Sequence, residues 1–157
     1  MIGAPGAPAR NVLITIGEGT TFSGPCTLRA MDDDSRIIIG EDVMFSADIH
    51  VWASDTHSIL DAAGTLQNRG REVIIGNHTW IGMDAKIGKN VKIGEGSIVG
   101  WNSVVCAAGK ALGGSYPPRV LLAGNPAQIR KTDVIWSRQP PNLYLNSDNR
   151  KEHACDN

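Results

Sequence analysis

Between residues 73 and 106 an aliphatic side chain returns at every sixth position: Ile75, Ile81, Ile87, Ile93, Val99 and Val105. Gly76, Gly82, Gly88, Gly94 and Gly100 follow the first five, and Cys106 follows the sixth. Two residues ahead of the aliphatics stand Val73, Thr79, Ala85, Val91, Ser97 and Ser103, all small or β-branched. The same phase runs upstream through Ile16, Phe22 and Leu28, preceded by Ile14, Thr20 and Cys26. It runs again through Ile39, Phe45 and Val51, preceded by Ile37, Val43 and Ile49. An α-helix spaces its apolar stripe at three and four and a lone strand alternates by two, so neither yields a beat of six. A short strand, a tight turn and a short strand do: the aliphatic points inward, the glycine takes the turn and the small residue fills the corner. Twelve such hexads group as four coils of three, each coil hydrogen-bonded to the next. The expected fold is therefore all-β, a single-domain parallel β-helix of about four coils. It occupies residues 1–131, with a short and partly disordered extension over 132–157.

Three stretches break the register. Residues 29–36 carry the acidic bulge Asp32, Asp33, Asp34. Residues 54–72, SDTHSILDAAGTLQNRGRE, form a polar excursion too long for a connection without a task. After Val105 the chain is expected to leave the coil through AAGKALGGSYPPRVLLAGNPAQIRK, a glycine-rich loop and a Pro-Pro turn. In the extension, Trp136, Leu143, Tyr144 and Leu145 are candidate anchors, and NSDNRKEHACDN reads as solvated.

Composition narrows the function. The formal charge of -1 over 157 residues offers no basic field for nucleic acid. The start, MIGAPGAPAR, lacks the charged and apolar regions of a secretory signal. No apolar run approaches the roughly 18 residues of a membrane span. Cys26, Cys106 and Cys155 are odd in number and far apart, which fits neither a disulfide framework nor a metal site. A cytoplasmic location is expected.

The hexads, together with SDTHSI, VIIGNHTWIG and LLAGNPAQIRK, make residues 11–131 resemble the hexapeptide-repeat acyltransferases, in the sugar and polysaccharide O-acetyltransferase branch with galactoside and maltose acetyltransferases. The resemblance implies a left-handed β-helix, a homotrimer, acetyl-CoA as co-substrate with no metal, and a sugar or polysaccharide-precursor acceptor. It implies direct transfer with His57 as general base, a role open to a neutral imidazole whose ordinary pKa is about 6.5. Asp55 is the candidate to orient that ring, although Ser54 and Asp55 also suit a capped turn. Asp32, Asp33 and His50 are candidates for the acceptor, and a solvated acidic turn explains the two aspartates equally well.

Trp80 and Trp101 face outward in the repeat phase, with Ile98 beside the first and Met83 beside the second one coil away. Two outward apolar columns need cover from a neighbouring subunit, the pantetheine arm of CoA, or both. By resemblance the cofactor groove takes in Trp80, Gly82, Met83, Trp101, Ser103, Cys106 and Gly124. Lys110, Arg119, Arg130 and Lys131 are the candidate phosphate ligands. Cys106 has no paired base and reads as a coil residue rather than a nucleophile. His78 reads as a solvated surface histidine.

Other classes share the repeat. Transfer to an amine can use the same base. A γ-type carbonic anhydrase needs three histidines around zinc, two spaced H-x4-H, and His50, His57 and His78 do not match. A scaffold would need neither His57 nor the basic terminal segment.

Overall fold

The computed structural model describes residues 9–107 and 114–145. The first coil runs through β1 (Leu13–Ile16), β2 (Thr21–Phe22) and β3 (Cys26–Arg29). The second takes β4 (Arg36–Ile39), β5 (Met44–Phe45) and β6 (Ile49–Trp52), and the third β7 (Glu72–Ile75), β8 (Trp80–Ile81) and β9 (Lys86–Ile87). The fourth takes β10 (Val91–Ile93), β11 (Ile98–Val99) and β12 (Val104–Val105). Parallel pairing stacks the coils into three faces: β1-β4-β7-β10, β2-β5-β8-β11 and β3-β6-β9-β12. Inward aliphatics sit above one another, Ile81 beside Val99 and Ile87 beside Val105, and the resulting core is continuous. In the first coil Ile14, Ile16 and Phe22 stay exposed, because no described residue stacks beneath them.

The chain does not leave the helix after Val105. β13 (Ser115–Tyr116) pairs with β10 and β14 (Leu121–Gly124) with β11, so an incomplete fifth coil continues two faces. Tyr116 and Leu122 take the inward positions there. Tyr116 and Leu122 stay six apart, but each lies 23 residues after its partner in the fourth coil, Ile93 or Val99, so the uninterrupted beat of the two coils before does not lead to it. β14 then turns at the cis Asn125–Pro126 bond into the antiparallel β15 (Ala127–Lys131). Lys110 lies outside the described residues.

The recurring glycine has a different reason from the one its spacing suggests. Gly76, Gly82, Gly88, Gly94 and Gly100 do not adopt positive φ; the left-handed residue comes two positions later, at His78, Asp84, Asn90, Gly96 and Asn102. Asn and Asp tolerate that region best after glycine, which explains their recurrence. Gly76, Gly82 and Gly94 are bare because coils approach closely. A Cβ on Gly94 would lie 2.3 Å from Pro118 N, and one on Gly82 would lie 2.7 Å from Val99 O. The small corner residues behave as expected: Thr79, Ser97 and Ser103 are fully buried. Their hydroxyls join backbone groups, as when Val120 N–H donates to Ser97 Oγ at 3.2 Å.

Residues 132–139 form a strap down the edge between the first and second faces, ending in the one-turn α1 (Pro141–Tyr144). Val134 N–H donates to Arg119 O in the fifth coil, and the Trp136 indole N–H donates to His78 O in the third, at 2.9 Å each. Arg138 reaches Asp42 Oδ1 in the second coil at 2.8 Å and Thr21 Oγ1 in the first at 2.9 Å. Residues 132–145 of the extension are thus held by contacts spread over several coils, with Trp136 among the anchors that the sequence suggested. Residues 146–157, including Cys155, lie outside the described residues. No described helix is long and apolar enough to cross a membrane.

Candidate active site

The excursion after β6 is a small hairpin at the edge between the third and first faces. Gln67 N–H donates to Ile59 O at 2.8 Å, and Leu60 bridges Leu66 in antiparallel fashion. Asp61 makes the tip, its carboxylate accepting from the backbone of Ala63 and Thr65 at 2.9 Å each. His57 lies on the outgoing leg and is exposed. It lines a cleft of about 360 Å³ with Met31, Asp32, Asp33, Asp55, Asn68 and Arg69. Among the described residues no hydrogen bond engages its ring, so both nitrogens remain available to a ligand.

The base of the hairpin is held at two points. Ser54, buried, donates through Oγ to Asp32 Oδ1 at 2.6 Å and accepts from Thr56 N–H at 2.8 Å. Asp32 Oδ2 also accepts from Gly70 N–H at 3.2 Å. On the other side, Asn68 Nδ2 donates to Asp55 Oδ2 and to His57 O, and its Oδ1 accepts from Ile59 N–H, each at 2.8 Å. Lys89 Nζ, from the turn of the third coil, donates to Asp55 Oδ2 and Asn68 O. Burial works to raise the Asp55 carboxyl, but the Lys89 ammonium and the Asn68 amide outweigh it and hold the group below its ordinary range.

Several sequence expectations change here. The Asp55 carboxylate faces Lys89 and Asn68, not the His57 imidazole, so it does not orient the ring directly. Asp32 and Asp33 do line the His57 cleft, yet Asp32 is committed to Ser54 and Gly70, and Asp33 accepts from Arg10 N–H at 2.8 Å. His50 projects outward as expected. It lines a neighbouring groove of about 510 Å³ on the third face with Trp52, Lys86, Lys89 and Cys106. Asp55 forms part of both walls. Asn68, Lys89 and Arg69 were not singled out in the sequence. A polar excursion of this composition does not reveal which amide closes it, nor that a lysine in the next coil supports it.

The candidate cofactor residues separate by edge. Gly82, Met83, Trp101, Gly124 and Arg130 gather at the edge between the second and third faces. Trp101 is 70% exposed and its ring crosses the bare Gly82, while Arg130 Nε donates to Ala123 O at 3.2 Å. Ser103 belongs to the same corner but is fully buried, accepting from Gly124 N–H at 3.2 Å, so it is a structural residue there. Cys106 lies at the His57 edge instead. Arg119 lies at the strap edge, paired with Asp133 at 3.6 Å, and Lys131 is exposed at the end of β15. Cys26 is a packing residue, and burial pushes its thiol up to about 11.

The outward Trp80 and Ile98 column is covered in part by the chain itself. Trp136 of the strap, 8% exposed, sits 6.0 Å from Trp80 between ring centroids, leaving an apolar groove of about 850 Å³ beside Met44 and Ile98. His78 is not a free surface residue. Its ring stacks on Trp136 at 4.3 Å, and Nδ1 meets Asp42 Oδ2 at 2.6 Å. The partner comes from the coil before it.

Comparison with known proteins agrees with this architecture. Residues 72–107 match the bacterial transferase hexapeptide family, six repeats. The chain is 33% identical over 138 residues to a polysialic acid O-acetyltransferase of Escherichia coli O1:K1 / APEC, covering 87% of this chain and 42% of that protein. It therefore spans about two fifths of the length of this curated relative. The crystal structure of the polySia-specific acetyltransferase NeuO superposes with a TM-score of 0.65 at 30% identity, over 88% of this chain and 59% of that one. A maltose O-acetyltransferase from Clostridium difficile 630 gives 0.58 at 26% identity, over 79% and 60%.

Proposed function

We propose that the chain, whose residues 72–107 match the hexapeptide family and whose β-helix superposes on acetyltransferases, transfers an acetyl group from acetyl-CoA to a hydroxyl of a sugar or polysaccharide precursor. The observation that carries this reading is His57: an imidazole with unengaged nitrogens, on a braced hairpin, at a cleft lined by carboxylates and an amide. Such a lining suits a polyhydroxyl acceptor. The activities of the relatives, O-acetylation of polysialic acid and of maltose, support the acceptor class.

His57 takes the acceptor hydroxyl proton as the oxygen attacks the thioester carbonyl, and the imidazolium returns that proton to the departing thiolate. No acyl-enzyme forms, and a backbone N–H of a coil turn steadies the oxyanion. Acetyl-CoA supplies the activated acyl group. Met83 and Trp101 offer an apolar rail for its pantetheine arm, and Arg130 at the same edge offers charge for a phosphate. His57 and that rail occupy different edges of one helix, which favours a site completed between copies in a homotrimer. A cytoplasmic location suits the co-substrate.

The test is acetyl-CoA consumption with a panel of sugars. His57→Ala keeps the fold by circular dichroism and lowers turnover about 100-fold or more. Full turnover in that variant would sink the assignment.

A further inference from the structure

Thr56, directly before His57, has φ of 65°, a region where a β-branched residue is strained. Such strain persists only where the surroundings over-determine it, and it clusters at working sites. Here the surroundings are visible. Thr56 N–H is caught by Ser54 Oγ on one side of His57. On the other side Ile59 N–H is caught by Asn68 Oδ1, and His57 O itself is caught by Asn68 Nδ2. Asn68 thus uses both ends of its amide on the His57 stretch, while Lys89 grips its carbonyl oxygen and the Asp55 carboxylate from below. Lys89 is well sheltered, its side chain 20% exposed, although the hairpin it supports lies at the surface. The clasp leaves the imidazole untouched and fixes the backbone that aims it.

We infer that Asn68 and Lys89 are positioning residues, setting the direction of the His57 ring through its backbone and through Asp55. The inference rests on the proposed role of His57 as base. Asp55 then contributes by joining Lys89 to Asn68, not by touching the imidazole. A clasp of this kind acts on the geometry of proton removal, where a misplacement of about 1 Å can cost ~100-fold in rate.

The test uses the full chain with Asn68→Asp, Lys89→Met and Lys89→Arg. Asn68→Asp and Lys89→Met are expected to lower kcat about 10- to 100-fold, with KM for acetyl-CoA changed less than about twofold. Lys89→Arg, which keeps a cation, recovers most of what Lys89→Met loses. If kcat stays within about twofold of the parent, or falls only in step with the fraction of folded protein, the inference is overturned. Should the parent itself fail to transfer from acetyl-CoA, the functional reading fails. The positioning claim is then decided by NMR of the His57 ring, expected to shift or broaden in Asn68→Asp. An unchanged ring signal overturns it.

Discussion

His78 occupies one of the left-handed turn positions, with φ of 49°, and its ring is pinned between Trp136 and the Asp42 carboxylate. Asp42 also binds Arg138, so one carboxylate holds both the turn and the strap. The His78 hydrogen bond, helped by Arg138 and opposed by slight burial, keeps the Asp42 carboxyl below its ordinary range. A carboxyl whose folded pKa is depressed adds stability that is full above its unfolded pKa and lost as pH falls through the folded value. The strap should therefore loosen on acidification below the ordinary carboxylate range while the coils persist. The indole N–H resonance of Trp136 reports this. Asp42→Asn should show the loosened signal at neutral pH, and a signal insensitive to both changes would mean that stacking alone holds the strap.

At the scale of the repeat, the bare position after each inward aliphatic sets how closely coils can approach, and it does so unequally. A Cβ on Gly94 would meet Pro118 N at 2.3 Å and Pro117 C at 2.5 Å, backbone that cannot move aside. A Cβ on Gly88 would find its nearest neighbour, Val105 O, at 3.6 Å, an ordinary contact. Neither glycine adopts positive φ. Gly94→Ala should thus destabilise by about 1–3 kcal/mol, as overpacking does. Gly88→Ala should be neutral, or stabilising by about 0.4–1 kcal/mol through the unfolded chain. Urea unfolding of the two variants compares them directly. Equal costs would mean that turn conformation, not coil spacing, is what the glycines serve.

For the whole molecule, the three edges of the helix carry three different sets of residues. The His57 hairpin interrupts one, Met83, Trp101 and Arg130 line the second, and the strap runs along the third. A triangular rod cannot bring its own edges together, so on the proposed reading base and rail meet across copies. Two inactive variants, His57→Ala and Trp101→Asp, should therefore restore part of the activity when their subunits are unfolded together and reassembled. Mixtures include interfaces that combine an intact hairpin with an intact rail. An absence of any recovery, with mixed trimers verified by mass, would place the whole site on one chain.

The six-residue beat alone determined the coiled path, the three faces and the inward column, because each depends on side chains whose period is the period of the backbone. The excursion that carries His57 was legible for a related reason: a segment that breaks a strict repeat stands out, and the structure places its imidazole at a cleft. Tertiary structure decided the rest. The fifth coil is out of step with the run that ends at Val105, the strap is held by contacts with four separate coils, and the two glycine functions differ only in what lies above them. The Asn68 and Lys89 clasp likewise joins residues from a hairpin tip's far leg and the next turn. These features depend on atoms that become neighbours only after the chain has wound, and a linear pattern holds no record of such distances.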